Sequence, residues 1–187
     1  MKTTLGILFA GALAFSGCAA PDTPTEPEAD SPQTGGEEAA PAPRITTAVP
    51  VTPYGGDQQA LLGHTDPQLA ANKRLAYDFF RVILRAQELD RAAEFMAEDY
   101  IQHNPNADTG LQGFLAYFRE FGGGPQPVQD TLANLVAVQA EGDYVTLSFV
   151  REYPEPGMPD QTYTTTWFDM FRVVDGKIVE HWDPATK

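Results

Sequence analysis

Hydrophobic and polar positions change their period once along residues 66–187, and the change separates two kinds of element. Leu69, Leu75, Phe79, Val82, Ile83 and Ala86 recur at helical spacing, which predicts an amphipathic helix over residues 67–87. Asp66 followed by Pro67 supplies its start, a capping side chain and then a first-turn proline. A second, shorter helix is expected over 89–96, then a short, partly apolar stretch over 98–104 and a turn-rich loop, PNADTG. A third helix over 111–121 stops at Gly122, Gly123, Gly124 and Pro125. Beyond that break the period is two. Residues 132–139, 144–153, 162–174 and 177–183 read as strands, bounded by Glu141-Gly142-Asp143, by a Pro-rich loop over 154–160 and by Asp175-Gly176. Helices first and antiparallel hairpins afterwards predict an α+β domain with helices on one face of a curved sheet.

The N-terminal third follows neither period. Lys2 precedes an almost unbroken apolar run from Leu5 to Phe15, too short to span a bilayer as a mature helix and typical of a targeting segment. Phe15, Ser16 and Gly17 lead to Cys18, the only cysteine, and this junction resembles the lipobox of bacterial lipoproteins, with Phe15 where Leu is more usual. The resemblance implies removal of 1–17 and acylation of Cys18, whose two or three chains anchor stably where one does not. An ordinary secretory signal cut near Ala19 or Ala20 is the alternative. Residues 19–44 hold no aromatic residue and no Val, Ile, Leu or Met, so they cannot offset their ordering entropy and should form an extended acidic tether. Over 45–63 Ile45, Val49, Val51, Tyr54, Leu61 and Leu62 return between prolines and glycines, an irregular lead-in expected to dock partly on the domain. The expected organisation is a lipoprotein signal over 1–17, lipidated Cys18, tether and lead-in over 18–65, and one folded domain over 66–187.

Composition narrows the function classes. The chain has 187 residues, room for one ordinary domain and not for a multi-domain enzyme. Its 12 Lys and Arg against 26 Asp and Glu give a net charge of −14, which argues against nucleic acid as a partner. With Cys18 at the junction, the domain has no cysteine for a disulfide or a nucleophile. Ala19, in place of the Asp that often retains lipoproteins at an inner membrane, points to the bacterial outer membrane facing the periplasm, with the lipid anchor as the only membrane contact.

The last hairpin gathers the candidate chemistry. Trp167, Asp169, Phe171 and Val173 share one face of their strand, and Val179, His181 and Asp183 share one face of the next. A three-residue connection through Val174, Asp175 and a left-handed Gly176 sets Asp169 opposite His181 and Trp167 opposite Asp183. A two-residue Asp175-Gly176 turn instead sets Asp169 and His181 on opposite sides of the sheet. The first register is favoured because it places two carboxylates, an imidazole and an indole together, but only packing chooses between them.

The segments YIQHNP (100–105) and WFDMFRVVDGKIVEHWD (167–183), with the helix over 110–121 between them, resemble the SnoaL-like polyketide cyclase family of the nuclear transport factor 2-like superfamily. The resemblance spans residues 66–187 in the expected order. It implies a conical α+β barrel whose curved antiparallel sheet encloses a deep apolar pocket, commonly in a homodimer formed through the sheet. It also implies an acid/base role for Asp183. A histidine assists that group in the family's cyclases, and the matching position here is Asp169. His103 and Asn104 fall in a motif whose histidine lies at the pocket mouth or lining.

Proton abstraction beside a carbonyl needs a base near an apolar wall, such as Trp167 or Phe171 would form, and a donor for the enolate oxygen. Asp183 and Asp169 are the candidate carboxylates, and Tyr100, His103 and His181 the candidate donors. Tyr100, Asn104, Trp167 and Phe171 are expected to contact the ligand. His103, His181, Asp169 and Asp183 match no metal-ligand signature, so neither metal nor other cofactor is expected. The favoured activity is cofactor-independent isomerase, cyclase or lyase chemistry on a small apolar carbonyl compound. The alternative is a pocket that binds a hydrophobic ligand without turnover, or a dimeric interaction module.

Overall fold

Asp66 caps the first long helix as its sequence requires: its carboxylate accepts from the backbone N–H groups of Gln68 at 2.7 Å and Leu69 at 3.4 Å, with Pro67 in the first turn. The structure, a computed structural model, describes residues 49–155 and 158–186. The signal segment, Cys18 and the tether over 19–44 lie outside the described residues. Helix α1 (Pro67–Phe79) passes directly into a wider π-type turn over Phe80–Arg85, where the Ala86 N–H reaches back to the Arg81 carbonyl. The helix predicted over 67–87 is therefore two segments, and it ends at Gln87, whose φ of 59° turns the chain. The helix expected over 89–96 is shorter still. A 3-10 turn Leu89–Arg91 and one-turn helix α2 (Ala92–Phe95) give way to strand β1 (Met96–Gln102), which takes up the apolar stretch before the PNADTG loop.

Helix α3 (Leu111–Phe121) follows, and then β2 (Leu135–Glu141), β3 (Tyr144–Glu155), β4 (Met158–Val174) and β5 (Lys177–Trp182). The Pro-rich segment expected as a long loop is mostly strand, since β3 reaches Glu155 and β4 starts at Met158. Pro154 is tolerated there because β2 pairs with β3 only as far as Phe149, leaving that end of β3 an edge. The sheet order is β1-β5-β4-β3-β2. Neighbours are antiparallel except β1, which runs parallel to β5. The class is α+β with a curved sheet, as expected, but the sheet is mixed and open, not wholly antiparallel.

Helices cover one sheet face. Phe79 lies at the centre of that contact, its ring 5.6 Å from Phe171 on the sheet and 5.9 Å from Phe114 on α3. Removing a ring so placed costs about 3–5 kcal/mol. The lead-in packs too. Gln58 and Leu62 are buried, the Gln58 amide donates to the Leu132 carbonyl at 2.8 Å, and the Tyr54 N–H bonds the Leu135 carbonyl at 2.7 Å. Among the described residues, no helix is long and apolar enough to cross a membrane.

Candidate functional site

Neither expected register describes the last hairpin. Asp175 and Gly176 both have positive φ, 49° and 71°, the signature of a two-residue type I′ turn. Val174 pairs with Lys177 and Val173 with Ile178, but Arg172 pairs with Glu180 and Phe171 with His181. Val179 is thus an extra residue, a bulge that reverses which side each later residue faces. The favoured three-residue turn is corrected, and so is the inference that a two-residue turn separates Asp169 from His181. The bulge turns Glu180 to the outer face and brings His181 to the helix-covered face with Phe171 and Asp169.

On that inner face a buried polar network joins two strands that meet in parallel. Asp169 and His181 are each 6% exposed, and His181 Nε2 lies 3.2 Å from Asp169 Oδ1. Phe171 stacks on the imidazole at 4.8 Å. The strand alternation of β1 supplies the rest, since Tyr100, Gln102 and Asn104 point inward while Ile101 and His103 do not.

The proton positions follow from one unambiguous donor. The Asn104 backbone N–H donates to Gln102 Oε1 at 3.0 Å, which fixes the orientation of that amide. The same oxygen lies 3.1 Å from His181 Nδ1 and can only accept, so Nδ1 carries a hydrogen. His181 Nε2 and Asp169 Oδ1 can then bond only through a further proton held between them. Gln102 Nε2 donates to the Tyr100 hydroxyl at 2.9 Å, leaving the phenolic hydrogen free to donate in turn. Burial, with the nearby Asp183 and Asp169 charges, pushes the Tyr100 phenol far above its ordinary range, so it remains a donor.

The two carboxylates differ in what occupies them. Asp183 accepts from Asn104 Nδ2 at 2.9 Å and from the Ala185 N–H at 3.0 Å, which engages both oxygens. Asp169 Oδ2 has no hydrogen-bond partner among the described residues. Trp167 lies further along the inner face, half-buried, beneath the Arg151 guanidinium at 4.8 Å.

His103 is not part of this group. It stacks on Trp182 at 4.7 Å and bonds Glu180 at 2.9 Å, and Glu180 also accepts from Arg172 at 2.7 Å. Those residues lie on the outer face, where the two partners hold the Glu180 carboxyl below its ordinary range. Of the sequence candidates, the structure brings together Tyr100, Asn104, Asp169, Phe171, His181 and Asp183, sets Trp167 beside them and leaves His103 outside. Gln102 was missed. Its signal was the alternation of YIQHNP, which puts Gln102 with Tyr100 and Asn104 and puts His103 with Ile101.

Asp169, His181 and Asp183 place one ligating atom each within 4.8 Å of one another, the arrangement a small cation would need. Asp183 already has both oxygens bonded, however, and the His181 to Asp169 contact is short enough to be bridged by a proton. Two cavities open on the described surface elsewhere. One of about 570 Å³ is lined by Gln87, Leu89, Phe118 and Pro125, and one of about 280 Å³ by Arg81, Arg85 and Asn134. Neither contains Asp169 or His181, so the case for the site rests on its network.

The model of the SnoaL-like domain family matches residues 76–181. No curated protein matches the chain. Among solved structures, TsrD from Streptomyces laurentii is 20% identical over 64% of this chain and 90% of its own, with a TM-score of 0.44. Wild-type IdmH from Streptomyces antibioticus is 21% identical over 60% and 89%, with a TM-score of 0.41. An LEH-like epoxide hydrolase from M. tuberculosis is 15% identical over 63% and 80%, with a TM-score of 0.43.

Proposed function

The chain belongs to the SnoaL-like domain family, and from that premise we propose that its inner-face network performs cofactor-independent acid/base chemistry on a small carbonyl compound, of the isomerase or cyclase type. The observation that carries this reading is the chain of hydrogen bonds from the Asn104 N–H through Gln102 to His181, which leaves one proton to be held between His181 and Asp169. Asp169 Oδ2 is the free basic atom. It takes a proton from the carbon beside the carbonyl, the C–H electrons form the enolate, and the Tyr100 hydroxyl donates to the developing oxyanion. The proton then returns to the same or another carbon, or the enolate attacks a second carbonyl and the proton goes to the new alkoxide. Asp183, fully engaged by Asn104 and Ala185, orients the end of the network. These assignments exchange the roles that the family resemblance implies for the two carboxylates.

The experiment is hydrogen exchange in heavy water with a panel of ketones, enones and aldols. Exchange that depends on Asp169 and Tyr100 supports the reading, and its absence across the panel with intact folding rejects it. Non-catalytic binding of a hydrophobic ligand would then be the better account.

We propose also that Cys18 anchors the chain in the bacterial envelope, at the outer membrane facing the periplasm. A Cys18→Ser protein should appear in soluble fractions, and its retention by acyl chains would reject the anchor. Tyr144 and Phe168, 44% and 49% exposed on the outer sheet face, support a homodimer through that face, to be checked by sedimentation equilibrium.

A further inference from the structure

Two arginines flank the aromatic floor that leads to Asp169. The Arg85 guanidinium, on the π-type turn, lies over the Phe80 ring at 5.5 Å. Phe80 stacks on Phe149 at 4.3 Å, Phe149 pairs across the sheet with Trp167, and Arg151 lies over Trp167 at 4.8 Å. Asp169 is the next inward-facing residue after Trp167 on β4. A row of three aromatic residues, Phe80 stacked on Phe149 and Phe149 opposite Trp167, therefore carries a guanidinium over its first and last rings and leads to the free carboxylate oxygen of the proposed base.

Neither guanidinium has an ion pair or hydrogen bond among the described residues, although the chain holds 26 acidic residues against 12 basic ones. Arg74, Arg81, Arg91 and Arg172 each bond an oxygen, while Arg119 shares the unpaired state but lies over no aromatic ring of this row. Both residues are exposed to solvent. The partial desolvation of Arg85, together with the Arg151 charge, pushes its guanidinium below the ordinary value, while Asp169 acts in the opposite direction. Two like charges held over one aromatic row without a counter-ion repel each other, and an anion placed between them relieves that repulsion. Guanidinium groups suit oxyanions because they present paired N–H donors.

We infer that Arg85 and Arg151 form a seat for an oxyanion at the entrance to the inner-face site, so that the ligand is an anionic carbonyl compound whose apolar body lies along Phe149 and Trp167. The inference rests on the proposed acid/base reading for the word carbonyl but not for the anion. It replaces the purely apolar substrate expected from the sequence with one carrying a carboxylate or a phosphate.

The test compares binding to the full chain, by calorimetry at low salt, of levulinate, methyl levulinate and dihydroxyacetone phosphate. Levulinate is expected to bind at least about 10-fold more tightly than its neutral ester, an advantage that falls with added salt. Arg85→Gln and Arg151→Gln should each reduce that advantage, the double variant should abolish it, and Arg151→Lys should keep part of it. Tighter binding of the phosphate than of levulinate would assign a phosphate ester, and the reverse a carboxylic acid. Equal binding of levulinate and its ester to the unmodified protein would overturn the seat, as would an undiminished preference in a folded double variant. Exchange at methyl levulinate reports the acid/base reading separately, because it depends on Asp169 and not on either arginine.

Discussion

The two faces of the β1/β5 strand pair carry one histidine each and put them to opposite uses. His181 is buried under Phe171, with Nδ1 fixed by Gln102 and Nε2 directed at a carboxylate that retains a free oxygen. His103 is on the outside, flat against Trp182 and bonded to Glu180, which Arg172 already neutralises. The inner histidine belongs to a network with a proton to move and no cation to balance it. The outer one belongs to a charge-paired patch with nothing left over. The difference comes from backbone geometry more than from residue type, since a single extra residue, Val179, decides which of Glu180 and His181 turns inward.

Asp169→Asn should break the comparison most severely. It keeps the shape of the dyad and removes the base, and exchange should fall about 100- to 10,000-fold with a near-native circular dichroism spectrum. Gln102→Leu should cost less, roughly 10-fold or more by analogy with orienting partners of other histidines. Its pH profile should shift because His181 is free to change tautomer, a change that a purely structural role would not produce. His103→Gln should leave exchange within about 2-fold of the unmodified protein and lower stability by less than about 1 kcal/mol, since the pair is solvent-accessible.

The smallest effect is in pH dependence. The Glu180 carboxyl is held below its ordinary value by His103 and Arg172, so its contribution to stability is complete above the unfolded value, about 4.3, and is lost as pH falls through the lower folded value. The stability difference between the unmodified protein and Glu180→Gln should accordingly be constant at neutral pH and shrink only in acid. Tyr100 acts in the other direction. Its raised value makes the folded state resist ionisation, so stability should fall as pH rises past about 10, and Tyr100→Phe should lessen that fall.

Much of this was legible in the sequence. Asp66-Pro67 marked the helix start, the change from helical to alternating period marked the passage to the sheet, and Asp169, His181 and Asp183 were recognisable as one candidate group. The route by which they meet was not legible, because a bulge leaves no mark on a run such as Lys177-Ile178-Val179-Glu180 and shows only once pairing partners are known. The same limit hid the parallel pairing of β1 with β5, which brings Gln102 to His181. His103 attracted attention as an imidazole in a known motif, while the alternation of its own strand placed it with exposed Ile101. Arg85 and Arg151 are 66 residues apart in the numbering and are brought to one aromatic row only when Phe80 stacks on Phe149.

Gln102 fixes a hydrogen on His181 Nδ1 and leaves a second proton between His181 and Asp169. With only three histidines in the chain, long-range proton to nitrogen correlation of the imidazole rings can identify each tautomer, with His103→Gln and His64→Gln assigning the other two. The expected spectrum shows a His181 ring protonated at Nδ1, with Nε2 either protonated against Asp169 or shifted toward that state, and loss of this pattern in Gln102→Leu. A His181 ring protonated only at Nε2, unchanged by Gln102→Leu, would contradict it.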